Sequence, residues 1–111
     1  MANNKIIQIV ASQSTPEKEA EFNRWYTEVH VPMLFGFKGV KQASRYQRLG
    51  DDGKSAKFLA IYEFETKEAM SEFPKSAAFA AAIKDFEDKK EAVGFTMQWA
   101  SSYELIKSWQ R

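Results

Sequence analysis

The chain has no cysteine and a single histidine, His30. The first absence excludes disulfides, thiol nucleophiles and structural cysteine zinc sites. The second excludes a histidine cage for a metal within one chain, so neither a metal nor a cofactor is expected. An excess of one charge is missing too. Sixteen Lys and Arg against fifteen Asp and Glu leave a net charge of +1. Nucleic-acid proteins normally concentrate basic residues on one face, so no nucleic-acid partner is expected. Long apolar runs are also lacking. Residues 6–11, interrupted by Gln8, are shorter than a signal-peptide core or a membrane span. The expectation is a cytoplasmic protein with no membrane partner.

What is present suits one core. The chain has 111 residues, 44% of them apolar and 28% charged. That is the composition of a soluble globular chain and the length of one domain, taken here as residues 1–111. Residues 6–11 are β-branched and apolar on both alternations, which predicts a buried strand. Ser14-Thr15-Pro16-Glu17 predicts a helix start, with Ser14 or Thr15 as cap. The helix that follows carries Phe22, Trp25, Tyr26, Val29 and Met33 on one stripe. Pro32 disfavours helical geometry at Val31, so this helix is expected to end or kink near His30.

Residues 40–48 read as a second, more polar strand, and Asp52-Gly53 as the turn of a hairpin loop. The third strand is 58–64, with Phe58, Ala60, Tyr62 and Phe64 on one face and Leu59 and Ile61 on the other. Thr66 is expected to cap a second helical region, broken at Pro74, resumed at Ser76 and ended by Gly94. A long strand over 95–106 closes the chain, with Phe95, Met97, Trp99, Ser101 and Tyr103 on one alternation. The order β-α-β-β-α-β is that of an α+β, ferredoxin-like fold with a four-stranded antiparallel sheet. The first and third strands then lie in the middle. Two helices shield one sheet face and leave an apolar patch on the other, too large for a monomer to tolerate readily. A second copy related by a two-fold axis is the expected cover. The alternative is that residues 103–109 fold over that face.

The stretch Phe22-Asn23-Arg24-Trp25-Tyr26-Thr27-Glu28-Val29-His30-Val31-Pro32 is similar to the F-x-x-W-Y-x-x-x-H-x-P stretch of EthD-like proteins in the dimeric α/β-barrel superfamily. Phe37-Lys38-Gly39-Val40 with Arg45-Tyr46, and Leu59-Ala60-Ile61-Tyr62-Glu63-Phe64, resemble the second and third strands of that group. The resemblance implies a homodimer whose sheets pack face to face as a dimeric α/β barrel, with a small-molecule cavity between sheet and helices in each subunit. It also implies a range of functions: cofactor-independent monooxygenases, isomerases and cyclases acting on aromatic or polyketide-like molecules, haem-degrading enzymes, and proteins with no known activity. Related isomerases use a histidine at the end of helix one, which would make His30 the acid/base here. Haem-degrading relatives depend on a differently placed histidine.

His30 is the one side chain with an unperturbed proton affinity near neutral pH, and Tyr26 lies one helical turn before it. The pair therefore reads as a catalytic candidate, or His30 caps the negative end of the helix. Trp25, Tyr46, Tyr62, Trp99 and Tyr103 combine apolar rings with polar tips and are candidate substrate-binding residues, or core and interface aromatics. Asn23 is a candidate donor to a substrate oxygen, or solvent-exposed. Arg45 and Arg48 fall on opposite faces of a strand polar enough for a sheet edge, and the edge reading is preferred to a carboxylate site. Glu63 either pairs with Lys57 or an arginine across the dimer, or is a buried acid. The function expected is that of an EthD-like small-molecule-binding protein, either a cofactor-free enzyme or a non-catalytic binding or accessory homodimer.

Overall fold

Alternation is cleanest in β3 (Phe58–Phe64): Phe58, Ala60, Tyr62 and Phe64 are buried, while Leu59, Ile61 and Glu63 are half-buried on the opposite face. The computed structural model, which describes residues 5–111, builds the sheet around this strand. β1 (Ile6–Gln13) pairs antiparallel with β3, setting Ile9 opposite Ile61 and Val10 opposite Ala60. On its other side β1 pairs with β4 (Thr96–Glu104). β2 (Val40–Gln47) pairs with the outer side of β3, which gives the order β2-β3-β1-β4. This is the ferredoxin-like arrangement, with the first and third strands central and the more polar β2 at an edge.

The helices cover one face. α1 (Glu19–Trp25) runs through a π-helical turn, Tyr26–His30, into α2 (Val31–Phe35). α3 (Lys67–Glu72) starts at Thr66, whose hydroxyl accepts from the Ala69 N–H at 3.0 Å. A 3₁₀ turn, Phe73–Lys75, marks Pro74. α4 (Ala77–Lys89) starts at Ser76, whose hydroxyl accepts from the Phe79 N–H at 3.1 Å. Phe22, Trp25 and Tyr26 meet Phe58, Tyr62 and Phe64 in the shared core. The hairpin between β2 and β3 has Gly50 and Gly53 at φ of +70° and +74°. The Asp52 carboxylate accepts from the Lys54 and Ser55 N–H groups, a side-chain turn that fits the Asp-Gly signal.

Several sequence expectations need correction. The helical run does not end near His30; it leaves α-helical geometry there in the π turn and continues to Phe35, with Val31 in helical geometry (φ −62°, ψ −45°). A proline ring inside a helix collides with the carbonyl four residues back, here that of Glu28. The π turn widens the helix just before Pro32, and the Val31 N–H reaches the Tyr26 carbonyl, five residues back. Neither Ser14 nor Thr15 caps α1. The Ser14 hydroxyl instead donates to the Val93 carbonyl at 2.6 Å, and the helix starts five residues later, at Glu19, with no side-chain cap.

β4 does not keep one alternation. The register slips opposite Ala11 and Ser12, leaving Gln98 as an extra residue. Met97 therefore lies on the helix side with Ser12, while Trp99, Ser101 and Tyr103 lie on the open face with Ala11, Ile9 and Ile7. Residues 105–111 do not fold over that face: Ile106 is 97% exposed and Trp109 79%. Glu63 pairs with Lys5 at 3.4 Å, whereas Lys57 pairs with Glu19 at 2.9 Å. Among the described residues, no helix is long and apolar enough to cross a membrane.

Candidate functional site

The π turn decides what surrounds His30. In a regular α-helix, residues five apart point roughly 140° away from one another. The wider turn brings Trp25 and His30 onto one side, and their rings stack with centroids 4.7 Å apart at 25°. Tyr26 meets the same imidazole edge-on at 5.3 Å. Phe86 of α4 closes the cluster at 6.2 Å. The Trp25 indole donates from Nε1 to Asp85 Oδ2 at 2.7 Å, and Lys89 holds the other carboxylate oxygen at 3.0 Å.

His30 is buried, and its Nδ1 has no hydrogen-bond partner. Burial pushes the imidazole down to about 4, against the opposing pull of the Asp85 carboxylate. At neutral pH the ring is uncharged, so it accepts a proton rather than donating one from a resting imidazolium.

His30 lines a cavity of about 200 Å³ between the helices and the sheet. Gln8 and Val10 of β1 with Met97 and Ala100 of β4 form its floor. Tyr26, His30 and Leu34 form one wall, Phe79, Ile83 and Phe86 of α4 the other, and Tyr62 and Phe73 close the end. Ile83 and Met97 are 40% and 52% exposed, which marks the mouth between α4 and β4. The lining has no side chain charged at neutral pH. It suits an uncharged, mainly apolar ligand with a few polar anchors.

Of the residues singled out from sequence, the fold brings Tyr26, His30 and Tyr62 to this cavity and stacks Trp25 behind His30. Asn23 faces neither ligand space nor solvent alone; its Oδ1 accepts from Arg45 at 2.9 Å. Tyr46, Trp99 and Tyr103 lie on the open sheet face, opposite Leu59, Ala11 and Ile7 respectively, and are about half exposed.

Sequence reasoning missed Gln8, Met97, Asp85 and the inward side of Arg45. β2 is an edge strand, as expected, but Arg45 turns under the helices. Its guanidinium lies 4.5 Å from the Tyr26 ring centre and donates to Thr27 Oγ1 at 2.9 Å. Its opposition to Ala60, a buried β3 position, is the signal that would have found it, and it depends on knowing the register.

The model of a family described as a domain of unknown function, DUF4286, matches residues 5–97. This chain belongs to the DUF4286 family. No functionally curated protein matches it. Solved structures share the fold of this DUF4286 protein at low identity. An EthD family protein from Bacillus halodurans superimposes with a TM-score of 0.65 at 13% identity, over 88% of this chain and 96% of that one. A DABB family protein with a ferredoxin-like fold, from Mesorhizobium loti, gives 0.68 at 11% identity, over 95% and 98%. A dimeric protein of unknown function with a ferredoxin-like fold, from Bacteroides fragilis, gives 0.62 at 12% identity, over 91% and 96%. These likenesses establish the architecture of the DUF4286 chain and leave its chemistry to the site.

Proposed function

We propose that this protein is a homodimer that binds a small, uncharged aromatic molecule beside His30, with cofactor-free proton transfer as its chemistry. The observation that carries the reading is the cavity itself: the only imidazole of the chain lines about 200 Å³ of apolar space, flanked by Tyr26 and Tyr62. An apolar cavity of about 150 Å³ admits benzene, so this one suits a single substituted ring or a slightly larger framework. Neutral His30 takes a proton from the ligand, and Tyr26 positions it. Isomerisation, cyclisation and, with dissolved dioxygen as the oxidant, oxygenation of a ring activated in this way are the reactions in scope. Pairing through the open sheet face is supported by its apolar centre, Ile7, Ile9, Leu59 and Ile61, and by the dimeric relative of the same fold.

The low basicity of His30 favours a second reading, binding without turnover. An imidazole that titrates near 4 is a weak base for carbon acids.

The first test is binding. The neutral phenol p-cresol is expected to shift amide resonances of Gln8, His30 and Ala100, and 4-hydroxybenzoate, which carries a charge, is expected not to. Ile83→Trp at the mouth should abolish the shifts. Shifts confined to Tyr46, Trp99 and Tyr103 would place the ligand on the wrong face and overturn the cavity reading. Turnover equal in wild type and His30→Gln would remove His30 from any proton-transfer role and leave the binding reading.

A further inference from the structure

Arg45 is a cation in unusual company. Its guanidinium carbon sits 4.5 Å from the Tyr26 ring centre, 5.4 Å from Phe58 and 5.7 Å from Phe22. Its two outer nitrogens donate to Asn23 Oδ1 and Thr27 Oγ1, both at 2.9 Å and both uncharged. Its Nε is buried with no partner. Among the described residues it forms no ion pair; burial acts on it most, followed by Tyr26 and Tyr62. A half-buried guanidinium normally finds an anion, and this one keeps its charge uncompensated inside an aromatic cage.

The same place holds two more unsatisfied groups. The Ser12 and Tyr62 hydroxyls are buried without a well-formed hydrogen bond, and both lie close enough to the Tyr26 hydroxyl to act on it. So two hydroxyl donors, from β1 and β3, stand by the phenol oxygen, and the Arg45 guanidinium from β2 lies over the ring of the same tyrosine. The neutral imidazole of His30 is the titratable neighbour on the helix, and Phe22, Trp25 and Phe95 meet the Tyr26 ring without charge.

We propose that Arg45 is a positioning residue for Tyr26: pinned by Asn23 and Thr27, it holds the phenol in place and directs its unpaired charge at the hydroxyl, so that Tyr26 serves as the proton donor of the cavity. This rests on the cavity reading above and completes it. As a ligand oxygen gains the proton, the O–H bond of Tyr26 breaks and the phenolate left behind faces the guanidinium, with Ser12 and Tyr62 donating to it. His30, uncharged, is free to take a proton elsewhere on the same ligand. Burial raises the Tyr26 pKa, and Arg45 is the largest influence acting in the opposite direction.

The test is read without ligand. The full-length protein is labelled with 3-fluorotyrosine, which titrates below tyrosine, and each ¹⁹F line is assigned by single Tyr→Phe variants. Arg45→Gln is expected to raise the Tyr26 midpoint by about one pH unit, a tenfold change in proton affinity. Tyr46 and Tyr103, exposed on the other sheet face, are expected not to move. An unchanged Tyr26 midpoint overturns the proposal, and so does an equal shift at all four tyrosines. Asn23→Ala combined with Thr27→Val keeps the charge and removes the pins. It is expected to raise the same midpoint, and no rise would overturn the proposal even if Arg45→Gln fails to fold. A negative result here leaves p-cresol binding to stand or fall separately.

Discussion

Trp25 lies nearly flat on His30, with ring centroids 4.7 Å apart at an interplanar angle of 25°. The contact buries the imidazole against an indole whose own N–H is tied to Asp85. It explains why a histidine at a cavity wall is held uncharged.

That uncharged state has a pH signature. His30 ordinarily titrates at 6.5, and in the fold at about 4. Between those values the unfolded chain binds the proton and the folded chain does not, so stability falls as pH drops from 6.5 towards 4 and levels off below. The full difference corresponds to about 3 kcal/mol as an upper figure. Carboxylates contribute over part of the same range, so the comparison is with His30→Gln. Urea unfolding at pH 7 and pH 4.5 should show a larger acid loss in wild type. Equal losses would mean that His30 is not held neutral.

Asp85 acts on the pair in two ways. Its carboxylate anchors Trp25 and pulls the His30 proton affinity upward. Asp85→Asn retains an acceptor for the indole but removes the charge, so the His30 midpoint should fall below that of wild type. Trp25→Phe removes the donor and should cost about 1–2 kcal/mol. Histidine Cε1–H shifts followed by NMR across pH 3–7 measure the first effect, and denaturant midpoints the second. A rise in the His30 midpoint in Asp85→Asn would contradict the assigned charge interaction.

Much of this arrangement was legible beforehand, and the illegible part has identifiable causes. The strict alternation of Phe58, Ala60, Tyr62 and Phe64 set β3 to its observed bounds, and the central places of β1 and β3 followed from the β-α-β-β-α-β order. Tyr26 and His30, four apart, meet in the structure as they would on a helical wheel. Trp25 and His30 also meet, although a wheel sets them apart, because a wheel assumes 3.6 residues per turn and the π turn departs from it. Met97 changes sides through an extra residue at Gln98, which no periodicity shows. Arg45 and Arg48 are equally polar in sequence. Only the register with β3 sends the first under the helices and leaves the second to bind loop carbonyls of Gly50 and Ser55.

Gly94 joins α4 to β4 at φ +66°. A Cβ added there would stand 2.8 Å from the Ser14 hydroxyl, which is itself committed to the Val93 carbonyl. Left-handed geometry costs a non-glycine residue about 1–2 kcal/mol, and the displaced serine adds to it. Gly94→Ala should therefore lower the denaturant midpoint by at least that amount. Adding Ser14→Gly to the alanine variant should relieve part of the clash. A neutral Gly94→Ala would show that this junction adopts another conformation.

The open sheet face supplies the last test. Ile61 sits on central β3 with Ile9 on one side and Ser44 on the other, all pointing away from the helices. Within one chain Ile61 is only half-buried, so a lysine there can lay its stem along the sheet and keep its ammonium in water. Between two sheets packed face to face, the same ammonium would be buried without a counter-ion, a cost of several kcal/mol. Ile61→Lys should thus separate the copies while leaving each one folded. Sedimentation is expected to show a dimer for wild type and a 12.8 kDa particle for the variant, with matching far-UV spectra and an unchanged His30 midpoint. The unchanged midpoint matters because the imidazole belongs to the helix side, which the open face does not touch. A wild type that sediments as a monomer would remove the second copy. The cavity would stay where it is, because every residue that lines it comes from one chain.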